Sequence, residues 1–300
     1  MFGVTILGNN SALPAYDRHP TSQVVTLGNR LFLIDCGEGT QMQLLKYKVK
    51  WSRIHYIFIS HLHGDHYFGL PGLLNSMGLL NRETDMHLFA PPELKPILDA
   101  QFLAADSKLP YKLHFHPLTR AGVLIEDSRF RVLCFPVTHR IPCWGFRFEE
   151  VKPPRRINPD KAAKMHVPAD YFEELKLGKD YQSPDGKIVL NDQVTEPASP
   201  AKSYSYCADT KFDLSLLQYI QNSDLLFHET TYLGGMEERA ASRFHSTTLQ
   251  AAEIAKQAKA RRLIIGHFSS KYESLDTFEI EAKTIFPDTE IAVEGCSFRV

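Results

Sequence analysis

The stretch His61-Leu62-His63-Gly64-Asp65-His66 follows the apolar run Ile54 to Ser60 and places four potential metal ligands within six residues. Alternate side chains of an extended segment share a face, so the first two histidines can point the same way. A turn at the glycine then swings the aspartate and the last histidine to a second position. Imidazole nitrogen together with carboxylate oxygen suits zinc first, and iron or manganese less well. The stretch therefore predicts a metal-dependent hydrolytic site that holds two ions.

Three later runs that resemble strands end at, or just before, a further potential ligand. These ligands are His139, Asp209 and His267. In layered α/β proteins, functional side chains gather where strands end, because the rigid strands fix the positions of the loops. A lone histidine after a strand is more often a hydrogen-bonded loop residue. Together with the first stretch, however, the three residues supply the ligands that a two-metal site requires.

The order of these motifs resembles the metallo-β-lactamase superfamily, in which an HxHxDH cluster is followed by a histidine, a metal-bridging aspartate and a last histidine. Two more specific stretches resemble the ribonuclease Z family within it. His228-Glu229-Thr230-Thr231 is similar to its HEAT motif, and His245-Ser246-Thr247 is similar to its HST motif. The segments Gly8 to Pro14 and Leu33 to Gln41 are also similar to that family. The resemblance runs nearly the full length of the chain.

The resemblance implies an α/β fold, a four-layer αβ/βα sandwich of the metallo-β-lactamase type. Residues 1–300 would form a single domain, with an inserted arm at residues 151–201. A chain of 300 residues with 43% hydrophobic content is long enough to bury one large core. The clearest helix is predicted from Thr247 or Thr248 to Ala260, with Thr247 and Gln250 in the positions of a capping box. A second helix is predicted from Tyr67 to Leu80, beginning beside the metal cluster.

The resemblance also implies the role of each site residue. The first metal would take His61, His63, His139 and Asp209, and the second would take Asp65, His66, Asp209 and His267, so that Asp209 bridges two Zn²⁺ ions per subunit. Mn²⁺ and Fe²⁺ are the alternatives. Asp65 could also act as general base or orienter for the attacking water, and His245 is our candidate general acid, paired with Glu229. A surface histidine and an ion pair at a strand end remain the alternative for those last two residues.

The activity implied is that of a zinc-dependent endoribonuclease that removes the 3′ trailer of precursor tRNA. Hydrolysis after the discriminator nucleotide would leave a 3′ hydroxyl on the tRNA and a 5′ phosphate on the trailer. The residues alone support metal-assisted hydrolysis at phosphorus or a carbonyl, with His245 available to protonate a leaving group. Two alternatives stay open: a hydrolase of the same fold acting on a small phosphodiester, cyclic nucleotide or sulfate ester, and a non-catalytic RNA-binding metalloprotein.

The net charge of −1 means that any contacts with RNA phosphates must be local. The inserted arm carries three basic residues that could position tRNA: Lys152, Arg155 and Arg156. The arm lacks the Gly-Pro motif of well-matched bacterial members, so a solvent-exposed insertion is the alternative. In the amino-terminal loop, Arg18 could contact a phosphate or base and Tyr16 could stack on an unpaired base. The lysine that the family often has in this loop is missing here, which leaves open whether CCA-ended tRNA is rejected.

Five cysteines without a CxxC pair indicate neither a disulfide framework nor a cysteine zinc knuckle. We therefore expect reduced thiols and a cytoplasmic protein. No basic segment followed by a long apolar run marks the amino terminus, and no stretch approaches the ~18 apolar residues that a membrane span requires. The resemblance further implies a homodimer.

Overall fold

The computed structural model describes residues 2–151, 154–198 and 200–300. Its strands are β1 (Phe2–Gly8), β2 (Asn10–Ser11), β3 (Ser22–Leu27), β4 (Arg30–Ile34), β5 (Ile54–Phe58), β6 (Met86–Ala90), β7 (Leu113–Pro117), β8 (Gly122–Glu126), β9 (Phe130–Val137), β10 (Cys143–Glu150), β11 (Arg156–Ile157), β12 (Tyr181–Gln182), β13 (Ile188–Val189), β14 (Thr195–Glu196), β15 (Ser203–Cys207), β16 (Leu225–Glu229), β17 (Leu263–Gly266), β18 (Phe268–Ser269), β19 (Thr289–Ile291) and β20 (Ser297–Arg299).

Its α-helices are α1 (Thr40–Lys46), α2 (Gly64–Tyr67), α3 (Leu70–Leu79), α4 (Leu94–Ala104), α5 (Pro159–Lys164), α6 (Phe172–Lys176), α7 (Asn191–Val194), α8 (Leu217–Ile220), α9 (Glu237–Arg243), α10 (Thr248–Gln257) and α11 (Asp276–Ile285). Helix α10 begins at the predicted capping box: the Thr247 hydroxyl accepts from the backbone N–H of Gln250, and the Gln250 side chain accepts from the backbone N–H of Thr247. The predicted start and capping box are confirmed, whereas the helix ends at Gln257, three residues before the predicted end at Ala260.

Two seven-stranded sheets dominate the fold. The first has the order β20-β1-β3-β4-β5-β6-β7, and the second has the order β19-β17-β16-β15-β10-β9-β8. Strands β4 to β7 run parallel to one another, as do β15, β16, β17 and β19. Parallel neighbours have their carboxyl ends at the same edge, so each sheet gathers its strand-end loops on one side.

The facing surfaces of the sheets meet through aromatic side chains. Phe58 on β5 lies 5.2 Å from Phe146 and 5.6 Å from Phe148, both on β10, measured between ring centroids. All three rings are buried. Burial of three such rings stabilises the sandwich by roughly 1.5–3 kcal/mol per ring. The interface of the two sheets is therefore an apolar core that fixes their separation.

Helices cover the outer surfaces of both sheets. Buried residues of α3 and α4, including Leu73 and Leu98, pack in one cluster with Leu33 of β4 and Ile57 of β5. On the second sheet, α10 contacts β16 and β17 and packs against α11, which contacts β19. The predicted α/β fold, with two sheets between helical layers, is confirmed.

The helix predicted from Tyr67 to Leu80 was wrong at its start. The chain forms the short helix α2 and then begins α3 at Leu70. Gly69 stands at the junction, where its N–H donates to the carbonyl of Cys36. The break lets the loop after β4 approach the backbone between the two helices.

The segments 127–131 and 149–201 form a compact unit separate from the rest of the chain. Within it, five buried apolar residues make a small core of their own: Ala162, Val167, Leu175, Val189 and Val194. The segment that we predicted as an inserted arm thus lies in a unit that has a packed core. In the part of the chain that the structure describes, no helix is long and apolar enough to cross a membrane.

Substituting Gly69 by alanine is expected to destabilise the fold. A Cβ at this position would stand 2.2 Å from the carbonyl oxygen of Gly37, a backbone atom that cannot rotate away. We expect Gly69→Ala to lower the free energy of unfolding by about 1–3 kcal/mol, measured by urea denaturation. The control is Gly72→Ala within α3, where a Cβ would come no closer than 3.8 Å to the Gln41 side-chain oxygen. Equal stability of the two variants would contradict the expected close approach.

Candidate metal centre and active site

The residues singled out at strand ends come together on one side of the sandwich. His61 follows β5, and His139 follows β9. Asp209 follows β15, and His267 directly follows β17. His267 adopts a left-handed backbone conformation with φ of 61°, which turns the chain sharply as the strand ends. The strands thus deliver ligands from both sheets to a single site.

The first group of ligand atoms surrounds one point. His61 Nε2 lies 3.0 Å from His63 Nδ1, which lies 3.1 Å from His139 Nε2. The Oδ2 atom of Asp209 is 3.5 Å from His61 Nε2 and 3.9 Å from His139 Nε2. Ligands of a tetrahedral zinc ion at about 2.0–2.1 Å would be separated by similar distances. The four residues form a potential cation site.

The second group has the same spacing and uses the other oxygen of Asp209. His66 Nε2 and His267 Nε2 lie 3.4 Å apart, and each is close to Asp65 Oδ2, at 3.6 and 3.4 Å. Asp209 Oδ1 lies 3.3 Å from His66 Nε2 and 3.1 Å from His267 Nε2. One carboxylate therefore faces both groups, with a different oxygen toward each.

The chemistry of this donor set fits divalent cations. Asp209 Oδ1 is buried, and among the described residues it has no hydrogen-bond partner of good geometry, although two imidazole nitrogens are nearby. Burial, followed by the charge of His66, holds the pKa of His61 well below its usual range. Burial likewise lowers the pKa of His63 to about 4. Neutral imidazoles and an ionised carboxylate are the forms in which these side chains bind metal.

Hydrogen bonds on the far side of the rings fix three of the histidines. His66 Nδ1 donates to Asp35 Oδ2 at 2.8 Å, and His139 Nδ1 donates to the carbonyl of Phe244 at 3.0 Å. His267 Nδ1 donates to the Thr231 hydroxyl at 2.9 Å. An acceptor behind the ring places the proton on Nδ1 and leaves Nε2 free for a metal. These partners therefore orient three rings toward the centre.

Asp35 is the site residue whose role sequence reasoning missed. It follows β4 with a φ of 54°, and it is fully buried. Besides His66, its carboxylate accepts hydrogen bonds from the N–H and hydroxyl of Ser60 and from the hydroxyl of Tyr206. Tyr206 lies on the opposite sheet. The signal was the aspartate at the end of an apolar strand, the same pattern that identified Asp209.

His245 and Glu229 form a hydrogen-bonded pair beside the ligands. His245 Nδ1 lies 2.9 Å from Glu229 Oε1, and its ring centroid is 5.5 Å from that of His267. Glu229 is fully buried at the end of β16. Although burial lowers the pKa of His245, the Glu229 carboxylate outweighs it and raises the value to about 9. Because His245 Nδ1 donates to Glu229, Nε2 is the ring nitrogen that remains for other chemistry.

The residues predicted to contact substrate differ in their exposure and in their hydrogen-bond partners. The Arg18 guanidinium donates to the carbonyl of Glu273 at 2.8 Å and also to that of Tyr272, while Tyr16 beside it is exposed. In the arm, Arg155 donates to Thr195 Oγ1 at 2.7 Å and pairs with Asp192, and Arg156 is exposed on β11. Lys152 lies outside the described residues.

A cavity of about 530 Å³ opens over the ligands. His63, Asp65, His139, Asp209 and His245 line it. On its wall, the backbone N–H of Ala12 donates to Asp65 Oδ2 at 2.7 Å, so the amino-terminal loop holds one of the ligand carboxylates. A substrate in this cavity would meet both ligand groups and the His245–Glu229 pair together.

Comparison with known proteins gives close relatives over the whole chain. The chain is 43% identical over 296 residues to the ribonuclease Z of Bacteroides fragilis (strain YCH46), covering 98% of this chain and 97% of the relative. It is 41% identical over 305 residues to the ribonuclease Z of Parabacteroides distasonis, covering 100% and 99%. A family model described as anti-Pycsar protein Apyc1 matches residues 2–129.

Solved structures show the same fold. The crystal structure of the short form of human tRNase Z matches with a TM-score of 0.72 and 24% identity, covering 99% of each chain. A metallo-β-lactamase fold protein from Bacillus subtilis, YhfI, matches with a TM-score of 0.70 and 20% identity, covering 100% of this chain and 99% of that one. Given the identity to full-length relatives, this chain belongs to the ribonuclease Z family, and its fold is that of the metallo-β-lactamases.

Proposed function

We propose that this chain is a zinc-dependent endoribonuclease that cuts precursor tRNA after the discriminator nucleotide and releases the 3′ trailer. Family membership supports the activity. The observation that carries the mechanism is the shared carboxylate of Asp209, whose two oxygens face two ligand groups in a cavity that also holds His245. We assign the first ion to His61, His63, His139 and Asp209, and the second to Asp65, His66, His267 and Asp209.

When bound, a pair of zinc ions would lower the pKa of a water molecule and neutralise charge on the phosphoryl oxygens. Asp65 is placed to orient that water, because its carboxylate lies at the cavity wall and is held by the N–H of Ala12. The second oxygen of Asp65 remains available to accept a hydrogen bond. We therefore assign Asp65 both as ligand and as orienter or base.

His245 is proposed to protonate the departing 3′ oxygen of the tRNA. Glu229 accepts the Nδ1 proton, which fixes the ring and favours its protonated form. The protonated Nε2 can then donate its proton to the oxygen as the bond between that oxygen and phosphorus breaks. The tRNA leaves with a 3′ hydroxyl, and the phosphate stays on the 5′ end of the trailer. Hydrolysis of a small phosphodiester is the alternative function, because such a substrate would use the same metal centre without contacting the arm.

We also propose that the arm at residues 151–201 positions tRNA, that the protein acts as a homodimer and that it acts in the cytoplasm. The separate core of the arm supports a rigid binding surface, on which Arg156 is exposed. Four of the five cysteines are buried free thiols, which is compatible with a reducing compartment.

Asp65→Ala and Asp209→Ala are each expected to abolish cleavage, because each removes a carboxylate that the ligand groups share or require. The measurement is cleavage of a 3′-extended precursor tRNA by zinc-reconstituted protein, with the product ends mapped to the nucleotide. Asp99→Ala is the control, since Asp99 is an exposed residue of α4 that pairs with Lys95 on the same helix. Full activity in either ligand variant would refute the two-metal mechanism.

His245→Ala is expected to reduce the rate of tRNA cleavage by roughly 10²-fold or more while zinc content stays unchanged. Hydrolysis of bis(p-nitrophenyl) phosphate should be much less affected, because its leaving group needs no proton. His245→Gln tests whether a polar side chain of similar size can replace the imidazole in cleavage. Because His245 also lies within ligand distance of Asp209 and His267, loss of zinc from the variant would instead identify it as a ligand.

Replacing residues 154–198 by a short Gly-Ser linker should raise KM for precursor tRNA and leave kcat/KM for bis(p-nitrophenyl) phosphate unchanged. The reason is that an arm that only positions tRNA contributes binding energy to the large substrate alone. Arg156→Ala in the intact arm is the milder companion variant. Equal loss on both substrates would mean that the arm supports the fold.

A further inference from the structure

Three exposed arginines line the cavity over the metal centre: Arg140, Arg239 and Arg243. Within residues 2–151, 154–198 and 200–300, none of them has a carboxylate partner. Other arginines of the chain do, such as Arg131 with Glu149 and Arg262 with Glu290. An arginine without an acidic partner beside a reaction centre retains its full capacity to bind an anion.

Two of these arginines are held in a defined position by helix α9. Arg239 and Arg243 are four residues apart and so lie on one face of the helix. The Arg239 guanidinium lies 5.7 Å from the centroid of the Tyr232 ring. Phe244 follows the last residue of the helix with a φ of 60°, and its carbonyl accepts the hydrogen bond from His139. The helix is thereby tied to a ligand of the first group.

Arg140 makes a contact that metal binding would break. Its Nη2 lies 2.9 Å from His63 Nε2, on the ring whose Nδ1 faces the first ligand group. Guanidinium nitrogens only donate, so His63 Nε2 must act as the acceptor in this contact. A neutral imidazole that gives its Nδ1 lone pair to a metal carries its proton on Nε2 and offers Arg140 a second donor. With metal bound, this hydrogen bond is lost and the guanidinium becomes free to bind an anion in the cavity that it lines.

We propose that Arg140, Arg239 and Arg243, which we call the arginine rim, bind the phosphodiesters of the RNA at and beside the cut. Arg140 would contact the scissile phosphate, and the two α9 arginines would contact its neighbours along the strand. The proposal rests on the proposed function, because a row of three contacts requires a polynucleotide with successive phosphodiester groups. It places local positive charge at the active site of a chain whose net charge is −1.

The first experiment measures RNA binding without cleavage. All proteins are zinc-loaded and carry His245→Ala, which slows cleavage. Each is titrated into a labelled 3′-extended precursor tRNA, and Kd is obtained by fluorescence anisotropy at several salt concentrations. Arg239→Ala and Arg243→Ala should each raise Kd several-fold and flatten the slope of log K against log salt by roughly 0.7–0.9. Arg261→Ala is the control. It removes the same charge from an exposed position before β17. The ligand His267 lies at the opposite end of that strand, so Arg261 is at the end that is away from the metal centre.

The second experiment isolates Arg140. Binding of inorganic phosphate to zinc-loaded protein is measured by titration calorimetry, with zinc content determined on the same samples. Arg140→Ala should weaken phosphate binding by about tenfold or more at unchanged zinc content, as expected for loss of a hydrogen bond to a charged group. Arg140→Lys should recover part of the loss, and Arg261→Ala should have no effect.

The two experiments separate failure of the rim from failure of the proposed substrate. One combination of results would overturn the rim and leave the function intact: wild-type protein cuts precursor tRNA, Arg239→Ala and Arg243→Ala do not change the affinity for RNA, and Arg140→Ala does not change the affinity for phosphate. Loss of zinc in Arg140→Ala with normal phosphate affinity per bound zinc would also overturn the assignment of Arg140. Weaker phosphate binding in Arg140→Ala, in a protein that neither binds nor cuts the tRNA, would support a phosphate contact and refute the RNA substrate.

Discussion

The arrangement of the site depends on one buried carboxylate that serves two groups of imidazoles. Asp209 is almost fully buried, and each of its oxygens lies within 3.1–3.5 Å of a histidine nitrogen of a different group. Moving an ionised carboxylate out of water costs several kcal/mol unless opposite charge compensates for it. His61 and His63 have lowered pKa values and add little of that charge, whereas the carboxylates around His66 raise its pKa. The donor set is compatible with divalent cations, which would supply the compensating charge. The fold must therefore bring both groups to the same side chain.

The sandwich achieves this because the ligand-bearing strand ends of both sheets lie at one edge. His61 and the helix turn after it come from the first sheet, whereas Asp209 and His267 come from the second. Asp35 joins the two halves, since its carboxylate accepts from Ser60 on its own sheet and from the Tyr206 hydroxyl on the other. The hydrogen bonds of Asp35 and the aromatic core thus hold together the two sheets that carry the ligands.

Much of this site could be predicted from the sequence, because its signal was local. Four of the ligands stand within six residues, and His139, Asp209 and His267 each follow an apolar strand. The function of Asp35 was missed because it depends on Tyr206, 171 residues away. The start of α3 was missed because the break accompanies a close backbone approach between Gly69 and Gly37. The periodicity of hydrophobic residues in the sequence does not reveal such a contact. Arg239 and Arg243 of the rim were missed because exposed arginines of a helix are typical of a solvated helix face.

Thr231, two residues after Glu229, connects the metal ligands with the His245–Glu229 pair. The Thr231 hydroxyl accepts from His267 Nδ1 and can donate to Glu229 Oε2 at 2.8 Å. One side chain thereby connects a metal ligand with the carboxylate that holds His245. A hydroxyl has a single proton to donate, so a proton on His267 Nδ1 and an ionised Glu229 favour each other. The same bond that leaves His267 Nε2 free for a metal therefore also keeps Glu229 in the form that His245 needs as its partner.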